Sequence, residues 1–238
     1  MNILLVNDDG YNSKGINILK EAINKYGNIY IIAPESQRSG ASHSFTYRGP
    51  FYLNKMKENE YSLNALPVDC VRLAKVLDVD FDLVISGIND GLNLGTDILY
   101  SGTLGAAREA LIENIPAVAI STDIDSFDIV EKEISEVLKL VFEKKLYSKR
   151  YVLNINFPTK NYVSSKGIKV TKAGKKIFDT IFVKNEDHYD VSYELVTLDK
   201  KTDTDVNLAE EGYITMVPVG LNETNKNGIK ILKDKLDR

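Results

Sequence analysis

Two neighbouring carboxylates, Asp8 and Asp9, follow the apolar run Ile3-Leu4-Leu5-Val6 within the segment Asn7-Asp8-Asp9-Gly10. Like charges about 4 Å apart at the end of a buried strand repel by roughly 4 kcal/mol at an effective dielectric near 20. A divalent cation between them removes that cost, and hard oxygen ligands suit Mg²⁺, Mn²⁺ or Ca²⁺. Successive side chains of a strand point to opposite faces, so both acids reach one ion only where the strand stops at Asp8. Gly10 permits the turn that would stop it. A capping Asp followed by a turn Asp accounts for the same residues without an ion.

Two further polar segments carry ligand chemistry. In Ser36-Gln37-Arg38-Ser39-Gly40-Ala41-Ser42-His43-Ser44, Ser39 offers a hydroxyl oxygen to a metal. Gly40 lets backbone N–H groups approach an anion, and Arg38 can pair with phosphate. A solvated serine-rich loop is the plain alternative, and a lone His43 suits a surface position as well as an acid–base role. Ser86 to Asp97 holds three glycines and the asparagines Asn89 and Asn93. That composition describes a tightly turning loop, and an asparagine carbonyl is a good neutral ligand for a hard cation.

This loop runs on through Tyr100-Ser101-Gly102-Thr103 into a helix starting near Leu104. Ser101, Gly102 and Thr103 thus sit at a helix N-terminus, where free N–H groups and the dipole favour an anion. Capping by Ser101 or Thr103 is compatible with that. No Gly-Lys-Ser/Thr follows the glycines, and there is no Gly-x-Gly-x-x-Gly fingerprint. No Ser-His-Asp triad is evident. A hard-metal site beside an oxyanion site suits phosphoryl transfer.

The elements that position these loops alternate through the first half. Ile3 to Val6 and Ile29 to Ala33 read as strands buried on both faces, the second stopped by Pro34. Between them Lys14 to Tyr26 carries Ile16, Leu19 and Ile23 at helical spacing. Phe51–Leu53 and Tyr61–Leu63 bracket a polar turn and predict a hairpin. Pro67 opens a helix through about Leu77. Leu83–Ile85 is a strand, Leu104–Ile112 a helix, Ala117–Ile120 a strand and Ile129–Phe142 an amphipathic helix. The pattern predicts a mostly parallel sheet with helices on both faces and right-handed crossovers. Ligands in such folds bind outside the carboxyl ends of the strands, where all three polar loops converge.

The texture changes near residue 150, which predicts an α/β catalytic core over 1–150 and a β-rich part over 151–238. Val152–Asn156 and Ile168–Thr171 read as strands. Phe182 to Leu198, around the turn Asn185-Glu186-Asp187, suggests a projecting hairpin that docks on another subunit. Asn222 to Arg238 is a short helix or a frayed end.

Bulk composition narrows the class. The chain has 238 residues, 43% hydrophobic and 27% charged, with net charge −4. That is ordinary for a globular protein and weakly disfavours a nucleic-acid backbone binder. One cysteine, Cys70, excludes an internal disulfide, and two histidines argue against a histidine-rich metal site. Cys70 sits in an apolar helix and reads as structural. No stretch approaches ~20 apolar residues, so no membrane span is expected. The N-terminus enters a strand at once, and the cytoplasm is the expected compartment.

The chain closely resembles the SurE family of survival-protein nucleotidases. The resemblance is carried by Asn7-Asp8-Asp9-Gly10, Ala33-Pro34, Arg38-Ser39-Gly40-Ala41-Ser42 and Pro67-Val68-Asp69-Cys70-Val71. It continues through Ser86-Gly87-Ile88-Asn89, Asn93-Leu94-Gly95, Tyr100-Ser101-Gly102-Thr103, Leu153-Asn154-Ile155-Asn156, Thr204-Asp205 and Glu211-Gly212-Tyr213. It implies a Rossmann-like core, a C-terminal part with swapped elements, and a homodimer or homotetramer.

It also implies a divalent-metal-dependent 5'/3'-nucleotidase and acid phosphatase that splits nucleoside monophosphates into nucleoside and phosphate. One cation per subunit, Mg²⁺ or Mn²⁺, would be held by Asp8, Asp9, Ser39 and Asn89. Of these Asp8, Asp9 and Asn89 would be catalytic. Gly40, Asn93, Ser101, Gly102 and Thr103 would lie at the phosphate. The expected partner is a small nucleotide substrate, with neither a membrane nor a stable nucleic-acid partner. Alternatives are polyphosphate or other phosphomonoesters as main substrate, or a non-catalytic nucleotide or phosphate sensor. His43 and Asp9 are candidate proton carriers. Ser13-Lys14 stands where the family often has Ala-Pro, which alters the start of the first helix.

Overall fold

The structure is a computed structural model that describes residues 1–198, 203–222 and 224–236. Strand β1 (Asn2–Val6) is the expected buried run. Its alternation sends Ile3 and Leu5 into one apolar core and Leu4 and Val6 into another. All four are 0% exposed. A strand with apolar layers on both sides belongs in the middle of a sheet. Truncating such a residue, as in Leu5→Ala, costs about 2–5 kcal/mol.

Helix α1 (Lys14–Ile23) begins at Ser13, whose hydroxyl accepts the Ile16 N–H, and turns Ile16, Leu19 and Ile23 inward. There follow β2 (Asn28–Pro34), the hairpin β3 (Leu53–Lys57) and β4 (Glu60–Leu63), α2 (Pro67–Leu73), β5 (Leu83–Asp90), α3 (Gly102–Ile112), β6 (Ala117–Thr122), α4 (Asp128–Glu143) and β7 (Val152–Asn156). After these come β8 (Ile168–Val170), β9 (Lys176–Lys184), β10 (Tyr189–Leu198), α5 (Asp205–Glu210), β11 (Ile214–Val219) and α6 (Lys226–Leu236).

Nine of the described strands form one sheet in the order β3-β4-β2-β1-β5-β6-β7-β11-β8. From β4 through β7 the neighbours are parallel. Strands β3 and β11 run antiparallel to β4 and β7. Helices α1 and α4 pack on one face and α2 and α3 on the other. This is the expected α/β architecture, with a β-rich extension. From β1 the chain moves out to β2 on one side and later returns to β5 on the other. That reversal opens a crevice between the carboxyl ends of β1 and β5.

Two local readings differ from the structure. The projecting hairpin starts at Lys176, not Phe182, and forms its own two-stranded sheet. Its β9 strand is exposed from Phe178 onward, so the one-sided burial that marks a sheet strand is missing. Helix α5 and strand β11 had no counterpart in the sequence reading. Strand β11 carries Pro218, which lies beyond the ladder with β8. Of the segment 222–238, α6 is helical, while residues 223, 237 and 238 lie outside the described residues.

Candidate active site

Strand β1 ends at Val6, two residues before Asp8. The Asn7 side chain closes the following turn. Its amide donates to the Gly10 carbonyl at 2.9 Å and to the Ser13 hydroxyl at 2.7 Å, and its oxygen accepts the Gly10 N–H at 3.2 Å. Gly10 takes φ +100°, as the sharp turn requires. With strand geometry already broken, Asp8 and Asp9 are not forced to opposite faces.

Asp8 is 4% exposed and lies against the first turn of α3. Thr103 donates its hydroxyl to Asp8 Oδ1 at 2.6 Å. A Cβ on Gly102 would stand 2.9 Å from Asp8 Oδ2, so only glycine lets the helix come this close. Burial raises the Asp8 carboxyl more than the Thr103 hydrogen bond lowers it, and the Asp9 charge adds to the rise, to about 6. Burial also pushes Asp9 up, although the Asp90 N–H donates to its Oδ2 at 3.0 Å.

Strand β5 supplies the opposite wall. Its pairing with β6 slips between Ser86 and Asn89, so that Asn89 pairs with Ser121 and Asp90 with Thr122. Such an irregularity re-aims the side chains beyond it. Asn89 donates its amide to the Gly91 carbonyl at 2.6 Å, which leaves its side-chain oxygen for other contacts.

The loop 36–44 closes the third side. The Arg38 N–H donates to the Asp8 carbonyl at 2.6 Å, and the Ser42 N–H to the Tyr100 carbonyl at 2.9 Å. The Ser42 hydroxyl donates to the Leu99 carbonyl at 2.7 Å. These bonds hold Ser39 and Gly40 across from Ser101, the residue that caps α3 by accepting the Leu104 N–H.

Asp8, Ser39, Gly40, Asn89, Asn93 and Ser101 therefore line one cleft of about 260 Å³. Gly102 and Thr103 stand behind Asp8. Asp9 does not line the cleft; its carboxylate accepts the N–H of Asp90, which does. His43 is not among the cleft residues; its Nε2 pairs with Glu109 at 2.8 Å.

The donor set fits a hard divalent cation. Two carboxylates, a hydroxyl and an amide carbonyl are all oxygen ligands. Asp8 is buried against a neutral hydroxyl, so its charge lacks compensation from that partner. Among the described residues, no three His, Cys, Asp or Glu side chains converge. Neutral oxygens would therefore have to complete the shell.

Sequence reasoning missed the residues that hold this loop from behind. Asn154 and Asn156 are fully buried in β7. Asn156 accepts the Asn93 N–H at 2.8 Å, and both asparagines donate to the Asn93 carbonyl, at 3.0 and 3.2 Å. Asn93 in turn donates its amide to the Ser121 hydroxyl at 2.8 Å. The available signal was two asparagines inside a strand that is otherwise apolar, since buried amides persist only with partners. Asp205 is the second case. Its carboxylate accepts N–H groups from Gly95 at 3.0 Å, Gly174 at 2.7 Å and Val206 at 2.8 Å.

Similarity to known proteins extends over nearly the whole chain. The family model described as Survival protein SurE matches residues 3–180. A 5'-nucleotidase SurE of Thermoanaerobacter sp. (strain X514) is 41% identical, over 98% of this chain and 97% of that protein. A 5'-nucleotidase SurE of Clostridium botulinum (strain Alaska E43 / Type E3) is 39% identical, over 94% and 95%. The crystal structure of a SurE protein from Aquifex aeolicus superposes with TM-score 0.82 at 36% identity, covering 98% of this chain and 100% of that one.

Proposed function

This chain belongs to the SurE family, and from that premise we propose that it is a divalent-metal-dependent phosphomonoesterase cleaving nucleoside 5'- and 3'-monophosphates to nucleoside and phosphate. The observation that carries the reading is the buried Asp8 carboxylate, packed against the N-terminus of α3 and facing Asn89 and Ser39 across one cleft.

Asp8, Asp9, Ser39 and Asn89 would hold one cation per subunit, Mg²⁺ or Mn²⁺. When bound, that cation neutralises phosphate charge and activates water for attack on phosphorus. The chain's own residues orient the substrate. Gly40 and Ser101, the cap of α3, present N–H and hydroxyl donors to the phosphate oxygens, while Gly102 and Thr103, expected at the phosphate, serve it from behind by holding α3 against Asp8. Asn93, which lines the cleft and has one amide hydrogen engaged by Ser121, would offer the other to the same group. Thr103, donating to Asp8 Oδ1, keeps that carboxylate in the orientation the site needs.

Within the part from 151 onward, β7, β8 and β11 complete the main sheet, and the β9–β10 hairpin with α6 is assigned to assembly into a homodimer or homotetramer. Supporting this, the hairpin exposes Phe182, Val183, Tyr189 and Val191, and α6 exposes Ile231, Leu232 and Leu236. No helix among the described residues is long and apolar enough to cross a membrane. With its one cysteine free and buried, the chain suits the reducing cytoplasm.

The test is phosphate release from AMP with Mg²⁺, with Mn²⁺ and with chelator, across a panel of phosphomonoesters. Metal-dependent release is the expected result. Nucleotide binding without release under any divalent ion would overturn it in favour of a sensor.

A further inference from the structure

Next to the cleft that holds Asp8 lies a second, of about 600 Å³, whose lining includes Gly40, Asp97, Tyr100, Lys176, Phe178 and Tyr193. Gly40, Asp97 and Tyr100 line both cleft walls, so the two spaces are continuous. One side is the loop before α3; the other is the root of the β9–β10 hairpin. Phe178 and Thr180 alternate onto one face of β9, and Tyr193 lies directly opposite Thr180. Lys176 fixes this wall, bonding Asp97 at 2.9 Å with its ammonium 5.0 Å from the centre of the Phe178 ring.

Tyr100 and Tyr193 are 68% and 67% exposed, and Phe178 40%. Three aromatic rings open to water beside a phosphate-sized polar cleft form a stacking surface for a flat heterocycle. We propose that this second cleft receives the nucleobase of the substrate, stacked between Tyr100 and the hairpin-root aromatics. This rests on the nucleotidase reading and adds to it the residues that distinguish a nucleotide from a bare phosphomonoester. It gives the hairpin two tasks, divided along its length: the root walls the substrate cleft, and the distal residues Phe182 to Val191 remain for contact between subunits.

A neighbouring groove shares Phe178 and Tyr193 but is lined by Gly91, Ile124 and Asn161 in place of Gly40 and Tyr100. It supplies the control. The experiment compares AMP with ribose 5-phosphate, which has the sugar and phosphate but no base, in the variants Tyr100→Ala, Phe178→Ala and Ile124→Ala. All three positions are exposed enough for truncation to leave the core intact.

Tyr100→Ala and Phe178→Ala are expected to lower kcat/KM for AMP by about 5- to 150-fold, chiefly through KM, as loss of a stacked ring does. They should leave ribose 5-phosphate within about twofold, and Ile124→Ala should change neither substrate. Equal losses on both substrates, or a base-dependent loss in Ile124→Ala but not in Tyr100→Ala, would overturn the assignment while the nucleotidase reading stands. Should the wild type cleave neither substrate, that reading fails by itself. Calorimetric titration of AMP into the same variants then still reads the cleft: weaker binding in Tyr100→Ala and Phe178→Ala supports the base site, and unchanged binding refutes it.

Discussion

The side-chain oxygen of Asn156 accepts the main-chain N–H of Asn93 at 2.8 Å, with both residues buried. The asparagine thus does from the end of β7 what a neighbouring strand would otherwise do. It supplies a ladder partner to a loop that has left the sheet. The Asn93 loop carries the amide assigned to phosphate, so its position is set two strands away from β5.

Asn156→Ala is expected to destabilise the fold by about 1–3 kcal/mol, because the Asn93 N–H is left buried without its acceptor. Thermal melting reads this. A fall in kcat/KM with Asn156→Ala well beyond that of a core truncation that costs at least as much, such as Leu5→Ala, would show that the bond orients the site. Equal falls would reduce it to a structural role.

Asp8→Asn should abolish turnover and leave the fold intact. It removes a buried charge while keeping the side chain's shape, so the metal-free variant should melt several degrees above the metal-free wild type at neutral pH. It should also lose the extra stability that added Mn²⁺ confers on the wild type. Near-normal hydrolysis by this variant would contradict the metal assignment.

The raised Asp8 carboxyl fixes the sign of a pH effect. Its folded value of about 6 lies above the ordinary 3.8, so the native state holds the proton more tightly. This contribution to the stability of the metal-free protein is full below about 4 and is lost as pH rises through about 6. A cation needs the ionised form, so its stabilisation runs the other way. The shift in melting temperature caused by Mn²⁺ is therefore expected to grow from pH 5 to pH 7. A shift that is flat over that range would separate Asp8 from metal binding.

Gly102→Ala tests the contact between α3 and Asp8. Alanine suits a helix better than glycine, yet its Cβ would stand 2.9 Å from Asp8 Oδ2 and 3.0 Å from Asp8 Cβ. The carboxylate must shift, and a displacement of that size costs on the order of 10² in rate. Steady-state kinetics should show this loss while circular dichroism stays unchanged.

Asp205→Ala removes both acceptor oxygens from the three N–H groups they serve. The variant is expected to lose about 1–3 kcal/mol. Hydrogen exchange should speed up at the amides of Gly95 and Gly174 together, because one side chain protects both. Acceleration at only one of them would show that the two loops are held separately.

Much of the site was readable because its parts are contiguous in sequence and sit where strands end. Asn7-Asp8-Asp9-Gly10 follows β1, Asn89 is the next-to-last residue of β5, and Ser101 caps α3, each in a pattern set by local chemistry. The supports were not readable in the same way. Asn156 and Asp205 act on backbone groups 63 and 110 residues away, and no local spacing encodes such a partner. The hairpin start was misplaced for a different reason: Lys176 to Lys184 has apolar residues on both faces, so periodicity could not say which side was inside. Asp9 lies between these cases, since its type was evident but its engagement with the Asp90 amide was not.

A carboxylate that grips three amides from three stretches of chain cannot release one without disturbing the other two. A pull on the far end of the arm built from β9 and β10 is therefore expected to reach, through Gly174 and Asp205, the Gly95 that follows the Asn93 loop. Substitutions at the arm's base, remote from any reacting atom, belong among the first places to look for altered turnover.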